Sequence, residues 1–462
     1  MAFDLLNLIA DHRSENYELY SQHVNPQFTK VLKTIGFDRI YERGEGAWLW
    51  DVAQRKYLDM LGGYAVHNAG RNHPVIRKAM TDWLSTDSAN LVQFDAPLLS
   101  GLLAGELTAR TGLDKVFFTN SGTEGIEAAL KFARCATGRP GVISCQSGYH
   151  GLSFGSLSVT ADENFREGFG PFPSEFRSIP FNDLETLAEV LSGGDVAAFV
   201  VEPIQGKGVN IPDDGYLREA ARLCRQHGSL FIADEVQTGL GRTGSFLAVD
   251  HDGEVDPDIV VLSKALSGGY VPVGAVLTRD DIWKKVFSSM ERSVVHSSTF
   301  HENGMAMAAG LSYLSVMDDE NLMERAKAMG GLIRDGLESM FEKYEFLKSV
   351  RQRGLMVGIE LGPPKSLKLR AAWKLVEKMD RNLFPQAVVI PLLDDHGILT
   401  QVAGHNKPVI KLIPPLVIDE SDVNWFLEGF DAVMKQLHRF PGPAWTVLSK
   451  LGKNAVTRRD RS

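Results

Sequence analysis

The chain has 462 residues and a formal net charge of −9, with 44% hydrophobic and 23% charged residues. This length suits two domains, or one large domain with a smaller lobe, and the composition is that of an ordinary globular protein. The acidic balance argues against nucleic acid or an anionic membrane surface as the main partner.

Three further features of the sequence bear on location. The cysteines, Cys135, Cys145 and Cys224, do not have the spacing of a metal site, which favours a reducing compartment. The first residues lack the basic region and cleavage site of a signal peptide, and no apolar stretch is long enough to cross a bilayer. We therefore expect a cytoplasmic protein without a membrane partner.

The N-terminal segment, residues 1–35, is predicted to be helical and amphipathic, because apolar residues such as Leu5 and Leu8 recur at helical spacing. Acidic residues interrupt its apolar face. A packing segment or a dimer arm is therefore favoured over a helix lying on a membrane.

A hairpin over 42–51 and a strand-like run over 56–61 precede a polar, glycine-rich loop over 62–74. Two histidines of this loop, His67 and His73, could suggest a metal site. No acidic or cysteine residues complete such a site, so hydrogen bonds within the loop are the favoured role.

Between about 99 and 320, helical segments alternate with short apolar runs. The runs predicted as strands are Lys115–Thr119, Gly141–Ser144, Ala197–Val201, Leu230–Ala233 and Ile259–Leu262. This alternation predicts an α/β fold in which helices cover both faces of a mostly parallel sheet.

The pattern changes near residue 321 to a mixture of helices and a strand pair, which indicates a smaller α+β lobe. We predict that residues 1–60 belong to this lobe, that 61–320 form the large domain, and that 321–440 form the C-terminal part of the lobe. Residues 441–462 are predicted to be a basic, frayed tail.

Two neighbouring apolar runs of the large domain end in side chains that carry charge. Asp234 ends the first run and Lys264 follows the second. Taken singly, such an Asp is typical of a turn or a helix cap and such a Lys of the surface. Ligands of open α/β sheets bind beyond the carboxyl ends of the strands, so the pair suggests a cofactor that needs both an amine and an acid. Pyridoxal phosphate has an aldehyde that reacts with lysine and a ring nitrogen that takes an acid partner.

Gly239, Gly241 and Gly244 between these runs match the spacing of a dinucleotide-binding fingerprint. That fingerprint opens the first strand–helix unit of its fold and runs directly into a helix. The residues that follow Gly244 here read as a loop, so we interpret the segment as a turn-rich crossover.

A phosphate site is suggested after the run that ends at Phe118. Ser121, Gly122 and Thr123 precede a clear helical pattern. Small and hydroxyl residues at a helix start can hold an anion with hydroxyls and free amides. They can equally cap the helix with nothing bound, and the sequence alone leaves both interpretations open.

Tyr149 follows the next run between glycines. An aromatic ring there can lie flat on a pyridine ring, although a tyrosine packed on the surface fits the same pattern.

These motifs together resemble the class III, fold-type I pyridoxal-phosphate aminotransferases, the group of ornithine, acetylornithine, putrescine and ω-amino acid aminotransferases. The matching residues occur in the family's order between about 40 and 437. They are Asn120–Glu124, Tyr149–Gly151, Val201–Gly206, Asp234–Gly239, Gly241–Gly244, Ser263–Lys264 and Ser298–Phe300.

The resemblance implies a fold-type I architecture with a seven-stranded sheet, and a role for each matching residue. Lys264 would form the covalent link to the cofactor and Asp234 would pair with the ring nitrogen. The ring would lie between Val236 and Tyr149, with Gln237 near the phenolic oxygen. The implied phosphate contacts are Ser121, Gly122 and Thr123, with Thr299 reaching the phosphate of the neighbouring subunit. Shared sites imply a homodimer.

The sequence departs from this family near the substrate. Many members have an arginine just before the late Pro-Pro, where it grips a carboxylate or pairs with the glutamate that matches Glu202. This chain has Lys411 there, a point charge without the two-pronged geometry of arginine. We predict that Glu202 and Lys411 pair as a gate, with a plain strand-end lysine as the alternative. Lys207 is a second departure.

The predicted function is transfer of an amino group between a primary amine or ω-amino acid and a 2-oxo acid or aldehyde, in two half-reactions. An aminomutase or racemase on the same scaffold is the alternative within enzymes. A cofactor-sensing regulator is the alternative from another class, and the acidic charge and the lack of room for a DNA-binding module argue against it.

Overall fold

A seven-stranded sheet forms the centre of the computed structural model. The structure describes residues 3–92, 94–379, 383–404, 407–439, 442 and 445. Most of the predicted basic tail, 441–462, lies outside these residues.

The strands are numbered in chain order over the described residues. They are β1 Tyr41–Glu45, β2 Trp48–Asp51, β3 Lys56–Asp59, β4 Lys115–Thr119, β5 Gly141–Cys145, β6 Phe176–Ile179, β7 Val196–Val201, β8 Leu230–Asp234, β9 Ile259–Leu262, β10 Gly274–Thr278, β11 Leu347–Arg353, β12 Met356–Leu361, β13 Ile398–Leu399, β14 Gln401–Val402 and β15 Val409–Leu412.

The central sheet has the strand order β4-β10-β9-β8-β7-β5-β6. Strand β10 is antiparallel to both of its neighbours, β4 and β9, and the remaining pairs are parallel. All strands of this sheet except β10 therefore point the same way, which confirms the predicted mostly parallel sheet. Their carboxyl ends lie along one edge.

Helices cover both faces of this sheet. The α-helices of the described residues, apart from the left-handed turn Gly62–Ala65, are Leu5–Asp11, Asn16–His23, Pro26–Ile35, Pro74–Ser85, Leu98–Thr111, Gly122–Thr137, Phe154–Val159, Glu163–Arg166, Leu184–Ser192, Tyr216–Gln226, Asp280–Val286, Gly304–Asp319, Leu322–Glu338, Leu367–Met379, Leu383–Asp394 and Glu420–Leu437. Successive residues of strand β8 pack on opposite faces of the sheet: Phe231 belongs to one hydrophobic cluster and Ile232 to another. Burial on both faces explains why these strands are continuous apolar runs rather than alternating ones.

The N- and C-terminal segments meet in a smaller lobe. One sheet has the order β1-β2-β3-β13, in which β13 pairs in parallel with β3. A second sheet has the order β11-β12-β15-β14. Strand pairing therefore joins residues 56–59 to residues 398–399, as expected for a lobe built from both ends of the chain. The predicted domain boundaries themselves remain a prediction.

Two expectations are refined by the structure. The described part of the predicted helical segment forms three short helices between residues 5 and 35. The third begins at Pro26, because Asn25 caps it through the amides of Gln27 and Phe28 and proline suits its first position. The glycines at 239, 241 and 244 lie in turns, as predicted. Between them Arg242 is fully buried and donates hydrogen bonds to backbone carbonyls of the smaller lobe.

Every helix among the described residues is too short or too polar to span a bilayer.

Candidate active site

A cavity of about 740 Å³ opens at the edge of the central sheet where the parallel strands end. The predicted site residues that line it are Gly122, Thr123, Tyr149, Glu202, Asp234, Val236, Gln237, Lys264 and Lys411. Each of them except Lys411 follows or ends a strand of the central sheet, so the sheet brings together side chains that are far apart in the sequence.

Two predicted residues do not line this cavity. Ser121 is the N-cap of the helix Gly122–Thr137 and directly precedes Gly122, which does line the cavity. Thr299 is exposed and lies in a turn. The contact of Thr299 with a neighbouring subunit, which the resemblance implies, remains a prediction.

Asp234 and Lys264 arrive on adjacent strands. Asp234 is the last residue of β8 and lies opposite Val261 of β9, while Lys264 lies two residues beyond the end of β9, after Ser263. The backbone of Lys264 is left-handed, with φ of +41°, an uncommon conformation for a residue with a side chain. Burial lowers the pKa of the Lys264 amine, and the charges of Asp234 and Glu202 oppose this shift. The site therefore favours the uncharged, nucleophilic form of Lys264 more than water does.

A histidine that sequence reasoning did not assign holds Asp234. His150 Nδ1 lies 2.7 Å from Asp234 Oδ2, and both side chains are buried. The backbone amide of Val236 donates to the other carboxylate oxygen at 3.1 Å. Burial opposes a charge on His150, but the hydrogen bond and the charge of Asp234 outweigh it and raise the pKa of His150. A signal was available, since His150 follows Tyr149 in the loop after strand β5.

The start of the helix Gly122–Thr137 presents free amides to the cavity. Ser121 Oγ accepts a hydrogen bond from the amide of Glu124 at 3.3 Å, whereas the amides of Gly122 and Thr123 have no partner among the described residues. A Cβ on Gly122 would lie 2.8 Å from a methyl carbon of Val236. The backbone is therefore open to an anion at a position where a side chain would collide, and these residues fit a phosphate group.

The aromatic ring of Tyr149 stands on the same cavity wall. Its centroid lies 5.6 Å from that of Phe165 in an edge-to-face arrangement. The amide of Tyr149 donates to Glu202 at 2.9 Å. Tyr149 is thus fixed through its backbone, and its ring lines the cavity.

The predicted gate between Glu202 and Lys411 does not form as a direct ion pair. Glu202 accepts hydrogen bonds from the amides of Tyr149 and Gly206, both at 2.9 Å. Lys411 Nζ donates to the carbonyl of Gly206 at 3.0 Å and to Gln237 Oε1 at 3.4 Å. Glu202 and Lys411 therefore bind the same residue, Gly206, through its amide and its carbonyl respectively. These backbone hydrogen bonds take the place of a direct contact between the two charged side chains.

Burial also sets the charge of this pair. It raises the pKa of the Glu202 carboxyl. It lowers the pKa of Lys411 to about 8, helped by the nearby charge of Lys264. Lys411 is a buried lysine at the end of the cavity and not the surface lysine of the alternative interpretation.

A metal site is not formed by the histidines of the 62–74 loop. His67 Nε2 lies 2.9 Å from Arg71, and His73 Nε2 lies 2.8 Å from Glu320. Within the described part of the chain, no group of three or more His, Cys, Asp or Glu side chains could hold a metal ion.

Comparison with known proteins identifies the family. The sequence pattern of the family described as "Aminotransferase class-III" matches residues 33–434. The chain belongs to the class-III aminotransferases. The cofactor of this family is pyridoxal phosphate and its reaction is amino-group transfer, so the predicted enzyme class and cofactor are confirmed.

Several relatives are similar over most of this chain. Ornithine aminotransferase 1 of Staphylococcus aureus is 35% identical over 86% of this chain and 94% of its own. The aminotransferase PigE of Serratia sp. is 34% identical over 93% of this chain but only 54% of its own, so this chain spans about half of PigE. The crystal structure of the ornithine aminotransferase of Toxoplasma gondii superimposes with a TM-score of 0.77 at 33% identity, covering 87% of this chain and 91% of that one.

Proposed function

We propose that Lys264 holds pyridoxal phosphate covalently and that Asp234 faces the nitrogen of its ring. One observation carries this proposal: adjacent parallel strands deliver a buried carboxylate and an amine of lowered pKa into the same cavity. The free amides of Gly122 and Thr123 on the same sheet edge are suited to the phosphate of the same molecule.

When bound, pyridoxal phosphate supplies a ring that accepts electrons from the substrate carbon. The residues of the chain then have separate tasks. Asp234 favours a proton on the ring nitrogen through its negative charge, and His150 holds Asp234 in place. Lys264, once released from the cofactor, can move a proton to or from the substrate because its lowered pKa makes the neutral amine accessible.

The remaining contacts follow the family resemblance. Tyr149 and Val236 would cover the two faces of the ring, with Gln237 near its phenolic oxygen. Ser121 would complete the phosphate site through its hydroxyl. The exposed position of Thr299 fits a contact with the cofactor of a second subunit, so we propose a homodimer with shared sites. We place this enzyme in the cytoplasm.

The proposed reaction moves an amino group from a primary amine or ω-amino acid to a 2-oxo acid or aldehyde in two half-reactions. The test is an absorbance spectrum of purified protein loaded with pyridoxal phosphate, followed by a panel of amine donors. A productive donor removes the absorbance of the lysine-bound cofactor and releases a free carbonyl product, and a 2-oxo acid restores the absorbance.

Lys264→Ala is the control, since it lacks the amine that forms the covalent link. Release of no carbonyl product from any donor would contradict transamination and favour the aminomutase or racemase alternative. Absence of the cofactor absorbance in the unaltered protein would contradict the proposal as a whole.

A further inference from the structure

A second ion pair lies on the wall of the cavity, between Lys207 and Asp162. Lys207 Nζ lies 2.5 Å from Asp162 Oδ2, and the two side chains are 16% and 17% exposed. Both residues line the cavity. Asp162 also caps the short helix Glu163–Arg166, because its other carboxylate oxygen accepts a hydrogen bond from the amide of Asn164 at 3.0 Å. The acid is therefore anchored, and the long lysine side chain is the member of the pair that can adjust.

The ammonium of Lys207 lies above aromatic rings of the same wall. It is 4.3 Å from the ring centroid of Phe165 and 5.4 Å from that of Tyr149, within the range of a cation–π contact. An ammonium has three N–H donors. Among the described residues Asp162 is its one hydrogen-bond acceptor, so donors remain for a ligand beside the ring that we place against the cofactor.

The other cations of the cavity are committed to other partners. Lys264 is the proposed cofactor attachment. Lys411 is more deeply buried, at 6% exposure, and its ammonium is taken up by the carbonyl of Gly206 and by Gln237. The described residues that line the cavity include no arginine. Lys207 is thus the cation best placed to meet a negatively charged substrate.

We infer that Lys207 binds the carboxylate of the acid substrate and that Asp162 neutralises Lys207 when a substrate without a carboxylate occupies the cavity. This inference rests on the proposed function: when the donor is a primary amine and the acceptor a 2-oxo acid, one cavity must admit a carboxylated substrate in one half-reaction and a neutral chain in the other. An unpaired ammonium beside an apolar chain would be costly. The anchored carboxylate of Asp162 removes that cost, while Leu152, Val402 and Ala403 supply apolar contacts on the lining.

The first test measures binding to the enzyme loaded with pyridoxal phosphate, using hexanoate and hexanol as unreactive probes in a calorimeter. We expect hexanoate to bind at least about tenfold more tightly than hexanol, as for a hydrogen bond to a charged group. Lys207→Met keeps an unbranched side chain of nearly the same length without the charge and should remove this preference, whereas Lys207→Arg should keep it. Lys411→Met is the matched control at the other lysine and should also keep it.

Asp162→Asn provides an independent variant that leaves Lys207 in place. It should tighten hexanoate binding, because the ammonium no longer shares its charge with an acid. A preference that survives in Lys207→Met, or one that is lost in Lys411→Met, would overturn the inference. Unchanged hexanoate affinity in Asp162→Asn would overturn the role of Asp162.

A kinetic test uses pairs of donors that differ by a carboxylate: alanine with ethylamine, and 6-aminohexanoate with hexylamine. The rate at which each donor removes the cofactor absorbance is measured in a single turnover. In Lys207→Met the rate constant should fall at least about tenfold more for a carboxylated donor than for its partner. Equal losses would refute the inference but leave transamination intact. Failure of every donor with the unaltered enzyme would instead refute the proposed function, and the binding test would still decide on Lys207.

Discussion

Replacing His150 by leucine should destabilise the protein through Asp234. The change removes the 2.7 Å hydrogen bond to Oδ2 and leaves a buried carboxylate with one backbone donor, the amide of Val236. His150 is 3% exposed and Asp234 is 4% exposed, so water replaces little of what is lost. A hydrogen bond to a charged group contributes about 1.5–3 kcal/mol. Because Val236 remains, we expect the free energy of unfolding to fall by about 2 kcal/mol.

The loss of stability in His150→Leu should depend on pH. The pKa of His150 is raised above its ordinary value of 6.5, so the folded protein binds this proton more tightly than the unfolded chain does. The charged interaction therefore stabilises the fold fully below pH 6.5 and is lost as the pH rises through the raised pKa. The difference in stability between the unaltered protein and His150→Leu should be largest in acid and should shrink as the pH rises.

Urea unfolding of the cofactor-free protein at several pH values measures this difference. His150→Asn is the control, because its amide can donate a hydrogen bond from a position close to that of Nδ1. It should recover part of the lost stability without the pH dependence. Equal stability of all three proteins across the pH range would refute the assigned contact between His150 and Asp234.

Three further predictions concern the rest of the cavity. Gly122→Ala should cost about 1–3 kcal/mol in unfolding experiments, because its Cβ would lie 2.8 Å from Val236, whereas Gly101→Ala, with no neighbour within 4 Å, should cost nothing. Between pH 8 and 10.5 the unfolded chain binds a proton at Lys411 that the folded protein has largely lost, so this residue makes the unaltered protein more stable as the pH rises. The free energy of unfolding of Lys411→Met should therefore rise less over this range than that of the unaltered protein. The same pH profile of unfolding in both proteins would contradict this. Lys411→Arg should leave turnover of simple amines largely intact, because arginine keeps a positive charge at this position, and a collapse with every amine donor would contradict this expectation.

The sequence predicted the centre of the fold well because burial leaves a direct signature. Strands such as β5, β7 and β9 are buried along their whole length, and such strands must be continuous apolar runs. Strand β10 was not predicted, although it is also fully buried. Its antiparallel direction depends on where the chain returns to the sheet, which no local pattern encodes.

The site was predicted where residues follow strand ends and was missed where partners are distant in sequence. Asp234 and Lys264 each follow an apolar run, and the parallel sheet brings the ends of those runs together. The pairing of Asp162 with Lys207 joins residues 45 positions apart, from two loops whose approach depends on tertiary packing. The predicted contact between Glu202 and Lys411 was wrong as a direct pair, because sequence cannot show that Gly206 offers both an amide and a carbonyl to these charges.

The central claim is that the cofactor is attached to Lys264, and reduction with borohydride tests it most directly. Reduction fixes the link between lysine and pyridoxal phosphate, and mass spectrometry of the digested protein then locates it. The cavity contains other lysines, including Lys411 with a pKa of about 8, so the outcome is not fixed in advance. We predict the added mass on the peptide that contains Lys264 and its absence in Lys264→Ala. Attachment to Lys411 or Lys207 in the unaltered protein would contradict the account.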